Sequence, residues 1–310
     1  MRVAVLSGGV GGARFLRGVV EAVDPANVTA IVNVGDDLEV LGLDVSPDLD
    51  SVLYALAGLS DEERGWGRAD ETWSALSSVE ALGGESWFRL GDRDLGLHLV
   101  RTQARRAGAP LSEITARLTA ALGLETTILP ATDEPLRTWL DTPNGSFPFQ
   151  QWFVVRAHRD PVDRVRYEGA ADARPAPGVL EALPEADLIL IAPSNPFVSI
   201  GPILAVERIR SALARRRVPC VAVSPLIGGQ AVKGPAAEMV QRLQGGTTPA
   251  HLAQCYPGLI DALVIDEADA DGADALTALG VRPVVTRTLM RDAPTRRRLA
   301  EAALDAVAFA

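Results

Sequence analysis

Short apolar runs alternate along this chain with stretches whose apolar residues recur every three or four positions. Residues 2–6 predict a buried strand, residues 15–23 a helix and residues 28–34 a second strand. Helical spacing returns at 49–59 and again at 71–82, 95–107 and 111–122, with Gly108-Ala-Pro110 breaking the last two and Ser112 with Glu113 opening the final one. The region 60–123 therefore reads as a helix-rich insertion. Residues 127–129, 138–140 and 151–155 predict strands, with Pro143-Asn-Gly145 as a turn, and the polar stretch 159–178 predicts a loop or meander. Strand patterns follow at 186–192, 218–223, 259–265 and 283–285, separated by helix patterns at 200–215 and 235–244 and closed by one at 293–307. Alternation of this kind predicts an α/β chain: a Rossmann-like three-layer fold, with a mostly parallel sheet between helical layers. Residues 1–310 read as one such domain, with no internal repeat.

The polar residues gather where these predicted strands end. The first strand opens onto Ser7-Gly-Gly-Val-Gly-Gly-Ala-Arg14, so Gly8, Gly9, Gly11 and Gly12 present bare backbone N–H groups at a helix start, which suits a phosphate. Tight-turn packing is the alternative use of the same glycines. The loop departs from the dinucleotide fingerprint, because Arg14 stands at the third glycine, and no Gly-Lys-Ser/Thr makes it a Walker loop. The second strand ends in Asn33-Val-Gly-Asp-Asp37, and Pro47-Asp-Leu-Asp50 follows. Carboxylates one strand away from a phosphate loop suit a hard divalent cation, and we assign Asp36 and Asp50 as a magnesium pair, with Mg2+ the expected cofactor. Asp36 or Asp37 is available as a proton acceptor, while turn and helix capping are the structural uses of all these acids.

Three further segments carry chemistry. Trp87-Phe-Arg-Leu-Gly-Asp-Arg-Asp94 offers rings to stack a planar group, with Arg89 and Asp92 beside them; a solvated turn of internal ion pairs has the same composition. Ala192-Pro-Ser-Asn-Pro-Phe197 ends the most apolar strand and sets Ser194 and Asn195 at the ligand-binding edge, as a nucleotide contact. The next strand ends likewise, in Ser224-Pro-Leu-Ile-Gly-Gly229, and leads to Lys233. Lys233 is the only lysine among 30 basic residues, either a compact phosphate contact or an accident of composition. His98 falls on a helix and receives no role.

Composition narrows the classes. The net charge of −10 argues against a nucleic-acid groove, and Cys220 and Cys255 are too few for a disulfide framework or metal cluster. No apolar run is long enough to span a bilayer and no signal peptide is evident, so the expected location is cytoplasmic, with no membrane partner.

Taken in order, Gly8 to Arg14, Asn33 to Asp37, Pro47 to Asp50, Arg64-Gly-Trp-Gly67, Trp87 to Asp94, Ala192 to Pro202 and Ser224-Pro225 resemble the 2-phospho-L-lactate transferase family of coenzyme F420 biosynthesis, whose actinobacterial branch is the phosphoenolpyruvate transferases. The resemblance covers essentially the whole chain. It implies a magnesium-dependent transferase of substituted phosphate groups, moving a phospho-three-carbon acid from a guanosine diphosphate-linked donor to the ribityl hydroxyl of the deazaflavin FO, with release of GMP and formation of (dehydro) coenzyme F420-0. By the same resemblance the glycine loop and Ser194-Asn195-Pro196 hold the guanosine diphosphate part, Trp87 and Phe88 receive the deazaflavin, and the chain forms a homodimer; Asn33, Arg89, Asp92, Ser224, Pro225 and Lys233 complete the expected binding residues. Two other readings stand beside it. A nucleotide-sugar-binding regulator of the gluconeogenesis-factor type shares the opening loop, but Leu38-Glu-Val-Leu41 replaces the glycine- and serine-rich run expected there. An NAD-dependent oxidoreductase lacks support from the broken fingerprint.

Overall fold

The computed structural model describes residues 1–306; residues 307–310, which include the predicted end of the last helix at 307, lie outside the described residues. Seven strands form the central sheet: β1 (Val3–Ser7), β2 (Val28–Val32), β3 (Thr127–Pro130), β4 (Leu188–Ile191), β5 (Cys220–Val223), β6 (Ala262–Asp266) and β7 (Arg282–Thr286). Their spatial order is β3-β2-β1-β4-β5-β6-β7, and every neighbouring pair is parallel. A parallel sheet needs a crossover after each strand, which places helices on both faces and buries both sides of the strands. Hence β4 and β5 read as unbroken apolar runs, β1 is apolar up to its last residue, Ser7, and all three are buried throughout.

The chain order reverses between β1 and β4, the switch point at whose carboxyl edge open α/β sheets place their ligand crevice. Helix α1 (Gly9–Ala22) springs from the β1 end of it. Helix α2 (Pro47–Leu56) follows β2 after a two-stranded hairpin, Leu38–Val40 with Leu43–Val45, that the apolar pattern does not reveal. Helices α3 (Ser74–Ala81), α4 (Asp92–Arg106) and α5 (Leu111–Ala121) occupy the 60–123 region. A second, antiparallel sheet of Arg137–Thr142, Gly145–Pro148 and Arg164–Glu168 lies between β3 and β4 in the chain.

Three local expectations are corrected. Residues 151–155 are a helical turn of π type, Gln151–Val155, not a strand. The aromatic spacing decides this, since Phe149 stacks on Phe153 at 5.3 Å and Trp152, on the same turn, is buried and donates to the Asp160 carbonyl at 3.0 Å. The segment 159–178 contains the strand Arg164–Glu168, whose partner Arg137–Thr142 is remote in sequence. The helix at 200–215 is two helices, Gly201–Ala205 and Glu207–Ala214, separated at Val206.

Helix α1 crosses the C-terminal helix Ala293–Asp305 at Gly18, where an added Cβ would stand 2.5 Å from the Arg296 carbonyl oxygen. A backbone atom cannot swing away, so Gly18→Ala is expected to destabilise the chain by roughly 1–3 kcal/mol through overpacking. Urea unfolding tests this, with the midpoint falling and the slope unchanged; an unmoved midpoint would show that the helices separate at no cost.

Candidate active site

The glycine loop shapes one wall of the crevice. Gly8 is extended, Gly9 takes φ +66°, and α1 begins without any side chain capping its first turn. Val10 and Gly11 are exposed there and Gly9 half-buried, its N–H turned to Asp48, so the positive end of the helix dipole lies at the surface. The same glycines also serve packing. A Cβ on Gly11 would lie 2.9 Å from the Pro193 carbonyl, and one on Gly12 would lie 2.6 Å from both the Ser7 and Ser194 hydroxyls. Ser194 donates to the Gly8 carbonyl at 2.7 Å, which ties the β1 and β4 loops together across the crevice. The close approaches at Gly8, Gly11 and Gly12 are the packing use of these glycines.

Acidic residues form the other wall. Asn33, at the end of β2, donates its amide to Asp48 at 2.8 Å, to Asp36 at 3.2 Å and to the Val198 carbonyl at 3.2 Å, and accepts the Gly35 N–H at 2.8 Å. Asp36, Asp48 and Asp50 are all buried. Burial, then the Asp48 charge, raises Asp36 well above the usual carboxylate range. Burial pushes Asp48 up to about 6 against the opposing hydrogen bonds from Asn33 and the Gly9 N–H. Asp37 is pushed up to about 7 by burial, opposed by the Arg137 and Arg101 charges; one of its oxygens accepts from Ser46 at 2.9 Å and the other is buried without a partner. Asp48 is the link between the walls, because a Cβ on Gly8 would meet its carboxylate at 2.8 Å. Among the described residues no three acidic, histidine or cysteine side chains converge as a complete metal cage. What the cluster offers is two carboxylates beside the glycine loop, and Mg2+ is commonly held by one or two carboxylates plus substrate phosphates.

This cluster has a signature in stability. The folded chain holds Asp37 and Asp48 at raised values, about 7 and about 6, so folding favours their protonated forms. Their contribution is full below the ordinary carboxylate value near 4 and is lost as pH rises through 6 and 7. Thermal melts of the metal-free chain are expected to fall over that interval, with a shallower fall in Asp48→Asn. A melting temperature that is flat or rising from pH 4 to 7 in EDTA would show that the carboxylates are not desolvated in solution.

The remaining expected site residues divide by what already occupies them. Asp50, paired with Asp36 from the sequence, faces the other way and forms a two-pronged ion pair with Arg101; the carboxylate sharing Asn33 with Asp36 is Asp48. Asp92 caps α3, accepting from the Ser74 and Ala75 N–H groups and the Thr72 hydroxyl. Asn195 turns its own loop, its side-chain oxygen accepting the Phe197 N–H at 2.9 Å, with Pro196 between them. Ser224 accepts the Leu226 N–H at 3.1 Å and so shapes the turn around Pro225. Lys233 reaches back to lie against Gly65, leaving no room there for a Cβ, so the β5 loop and the Arg64–Gly67 loop meet.

Trp87 packs edge-on to Phe88 at 5.6 Å, and Phe88 seals the small apolar cluster of the 38–45 hairpin. Arg89 stacks over Trp73 at 4.6 Å, and Arg64 over both Trp73 and Trp66 at 5.1 and 4.9 Å. A cation–π ladder thus joins the two tryptophan-bearing loops. Beside it a small cleft of about 40 Å³ opens along α1, lined by Val10, Arg14, Ser51 and Trp66. Trp66, Trp73 and Arg64 escape a residue-by-residue reading of the sequence, although Arg64-Gly-Trp-Gly67 marks their loop.

A family model described as 2-phospho-L-lactate transferase CofD matches residues 3–286. The phosphoenolpyruvate transferase of Streptomyces coelicolor is 44% identical over 310 residues, covering 98% of this chain and 97% of its own. That of Thermobifida fusca is 41% identical over 319 residues, covering 98% and 97%, and that of Mycolicibacterium smegmatis 38% over 326 residues, covering 98% of each. Among solved structures, two crystal structures of one Bacillus halodurans protein, of the UPF0052 family, superpose with TM-scores of 0.66 and 0.65 at 20% identity, covering 98% of this chain and 99% of theirs. At that identity they share the fold alone.

Proposed function

This chain belongs to the 2-phospho-L-lactate transferase (CofD) family, and on that premise we propose that it transfers a phospho-three-carbon acid to a deazaflavin alcohol in coenzyme F420 biosynthesis. The donor is a guanosine diphosphate-linked acid, the acceptor is the ribityl hydroxyl of FO, and the products are GMP and (dehydro) coenzyme F420-0. The curated relatives' name favours the enolpyruvyl donor over the lactyl one. The observation that carries this reading is the placement of Asp48 against the glycine loop, which brings an acidic pair to the site where α1 offers amides to a phosphate.

The cluster fits a divalent cation. Asp36 and Asp48 share a single amide and face no arginine, so Mg2+ held between them would relieve the desolvation that raises both. When bound, the metal supplies charge neutralisation on the diphosphate. The chain supplies the rest. The α1 amides bind and orient the anhydride, so that the hydroxyl attacks the acid-bearing phosphorus and the bond to the GMP oxygen breaks. Asp37, near 7 and with one oxygen free, accepts the hydroxyl proton. The aromatic loops that carry Trp66, Trp73 and Trp87 receive the planar deazaflavin.

No described helix is long and apolar enough to cross a membrane. A homodimer remains part of the proposal. Calorimetric titration of GDP tests the binding half: affinity is expected only with magnesium present, and NAD is expected not to bind. Tight NAD binding without metal would contradict it.

A further inference from the structure

The proposed chemistry leaves one buried polar group unused, on the inner face of α4. Arg101 and His98 are each 1% exposed, too deep to touch a substrate. Arg101 Nη1 donates to Asp50 Oδ2 at 3.1 Å while Nη2 donates to Oδ1. The same guanidinium reaches the Asp44 carbonyl at 3.4 Å, and the neighbouring Thr102 hydroxyl accepts the Asp44 N–H at 2.7 Å. Helix α4 thus grips both acidic segments, the hairpin that follows Asp37 and the first turn of α2.

A second layer stands behind the first. Arg101 Nη1 lies 3.2 Å from His98 Nδ1. A guanidinium has donors only, so Nδ1 accepts; Nε2, buried and outside hydrogen-bond geometry, stands 3.2 Å from Asp94 Oδ2. Asp94 accepts the Tyr54 hydroxyl at 2.5 Å, and Tyr54 lies on α2, one turn beyond Asp50. The network leaves α2, crosses α4 and returns to α2.

Burying these charges is a poor way to gain stability, because desolvation offsets most of the attraction and apolar side chains would join two helices as well. What a two-pronged pair adds is direction. We infer that Arg101 is a positioning residue: it orients the first turn of α2 and the 38–45 hairpin so that Asp36, Asp37 and Asp48 converge at the glycine loop, and it neutralises Asp50 so that the cation falls to Asp36 and Asp48. The inference deepens the transferase reading and rests on it only for its kinetic readout.

Arg101→Lys keeps the charge and gives up the fork; Arg101→Met gives up both. Mn2+ affinity, read by electron paramagnetic resonance on the protein alone, is expected to weaken roughly 10–100-fold in Arg101→Met and to recover partly in Arg101→Lys. Turnover should follow the same order, with the donor KM little changed. Unaltered Mn2+ affinity in both variants, or turnover that merely tracks the folded fraction, would overturn the inference. Should neither variant fold, His98→Gln leaves the ion pair but disturbs the layer behind it, and wild-type Mn2+ affinity there would overturn it equally. If the unaltered chain transfers nothing, the transferase reading fails while the Mn2+ titration still decides this one.

Discussion

Asp36→Asn is expected to lower turnover by roughly three orders of magnitude and, in the metal-free chain at neutral pH, to raise the melting temperature. Both effects have one cause. Asp36 is buried, its charge is opposed by burial and by Asp48, and among the described residues its one side-chain hydrogen-bond donor is the Asn33 amide. Asparagine keeps the shape and an acceptor for that amide while removing the charge that burial penalises, so the empty fold gains. The loss falls on the metal-stabilised transition state, where several kcal/mol of charge neutralisation disappear. Turnover within tenfold of the unaltered enzyme, or a lowered melting temperature, would take Asp36 out of the metal site.

Gly8→Ala is expected to cost about 100-fold in kcat/KM for the donor, with roughly 1–3 kcal/mol of stability. Gly8 is extended, a conformation open to alanine, so the cost lies in the neighbours. A Cβ there would lie 2.8 Å from the Asp48 carboxylate and 2.9 Å from both the Ser199 Cβ and its carbonyl oxygen. The Ser199 carbonyl is main chain and cannot turn aside, so the loop itself must shift, and with it the α1 amides and Asp48. Gly58→Ala is the control: φ is +69° and nothing lies within 4 Å, so only about 1–2 kcal/mol of backbone strain is expected, with kcat/KM unchanged. Equal kinetic losses in the two variants would show that the Gly8 contacts carry no catalytic weight.

The sheet was legible because its strands are buried on both faces and stand as plain apolar runs, such as Leu188–Ile191. The glycine loop was legible as a tight turn because a Cβ at Gly8, Gly11 or Gly12 would collide with the β4 loop. The choice between Asp48 and Asp50 was not. Read as extended chain they share a face; in α2 two positions turn the chain by about 200°, so one points to the glycine loop and the other to Arg101. Arg101 itself lies 51 residues from Asp50 in an otherwise ordinary amphipathic helix, and nothing local distinguishes it from a solvated arginine. Asp92 misled for a related reason. Its carboxylate caps a helix 18 residues upstream, a tertiary use that composition cannot separate from ligand binding. The hairpin 38–45 is short and half-buried, too small for a period of two to register.

The transfer itself is the most direct test. Purified protein, magnesium and the deazaflavin alcohol are incubated with guanosine diphosphate-linked enolpyruvate, lactate or glycerate, and the products are read by mass. The account predicts a mass gain on the deazaflavin by one phospho-acid group, equimolar GMP, dependence on magnesium and the fastest reaction with the enolpyruvyl donor. No mass gain with any of the three donors, while a nucleotide sugar binds tightly, would contradict it and turn the chain into a regulator.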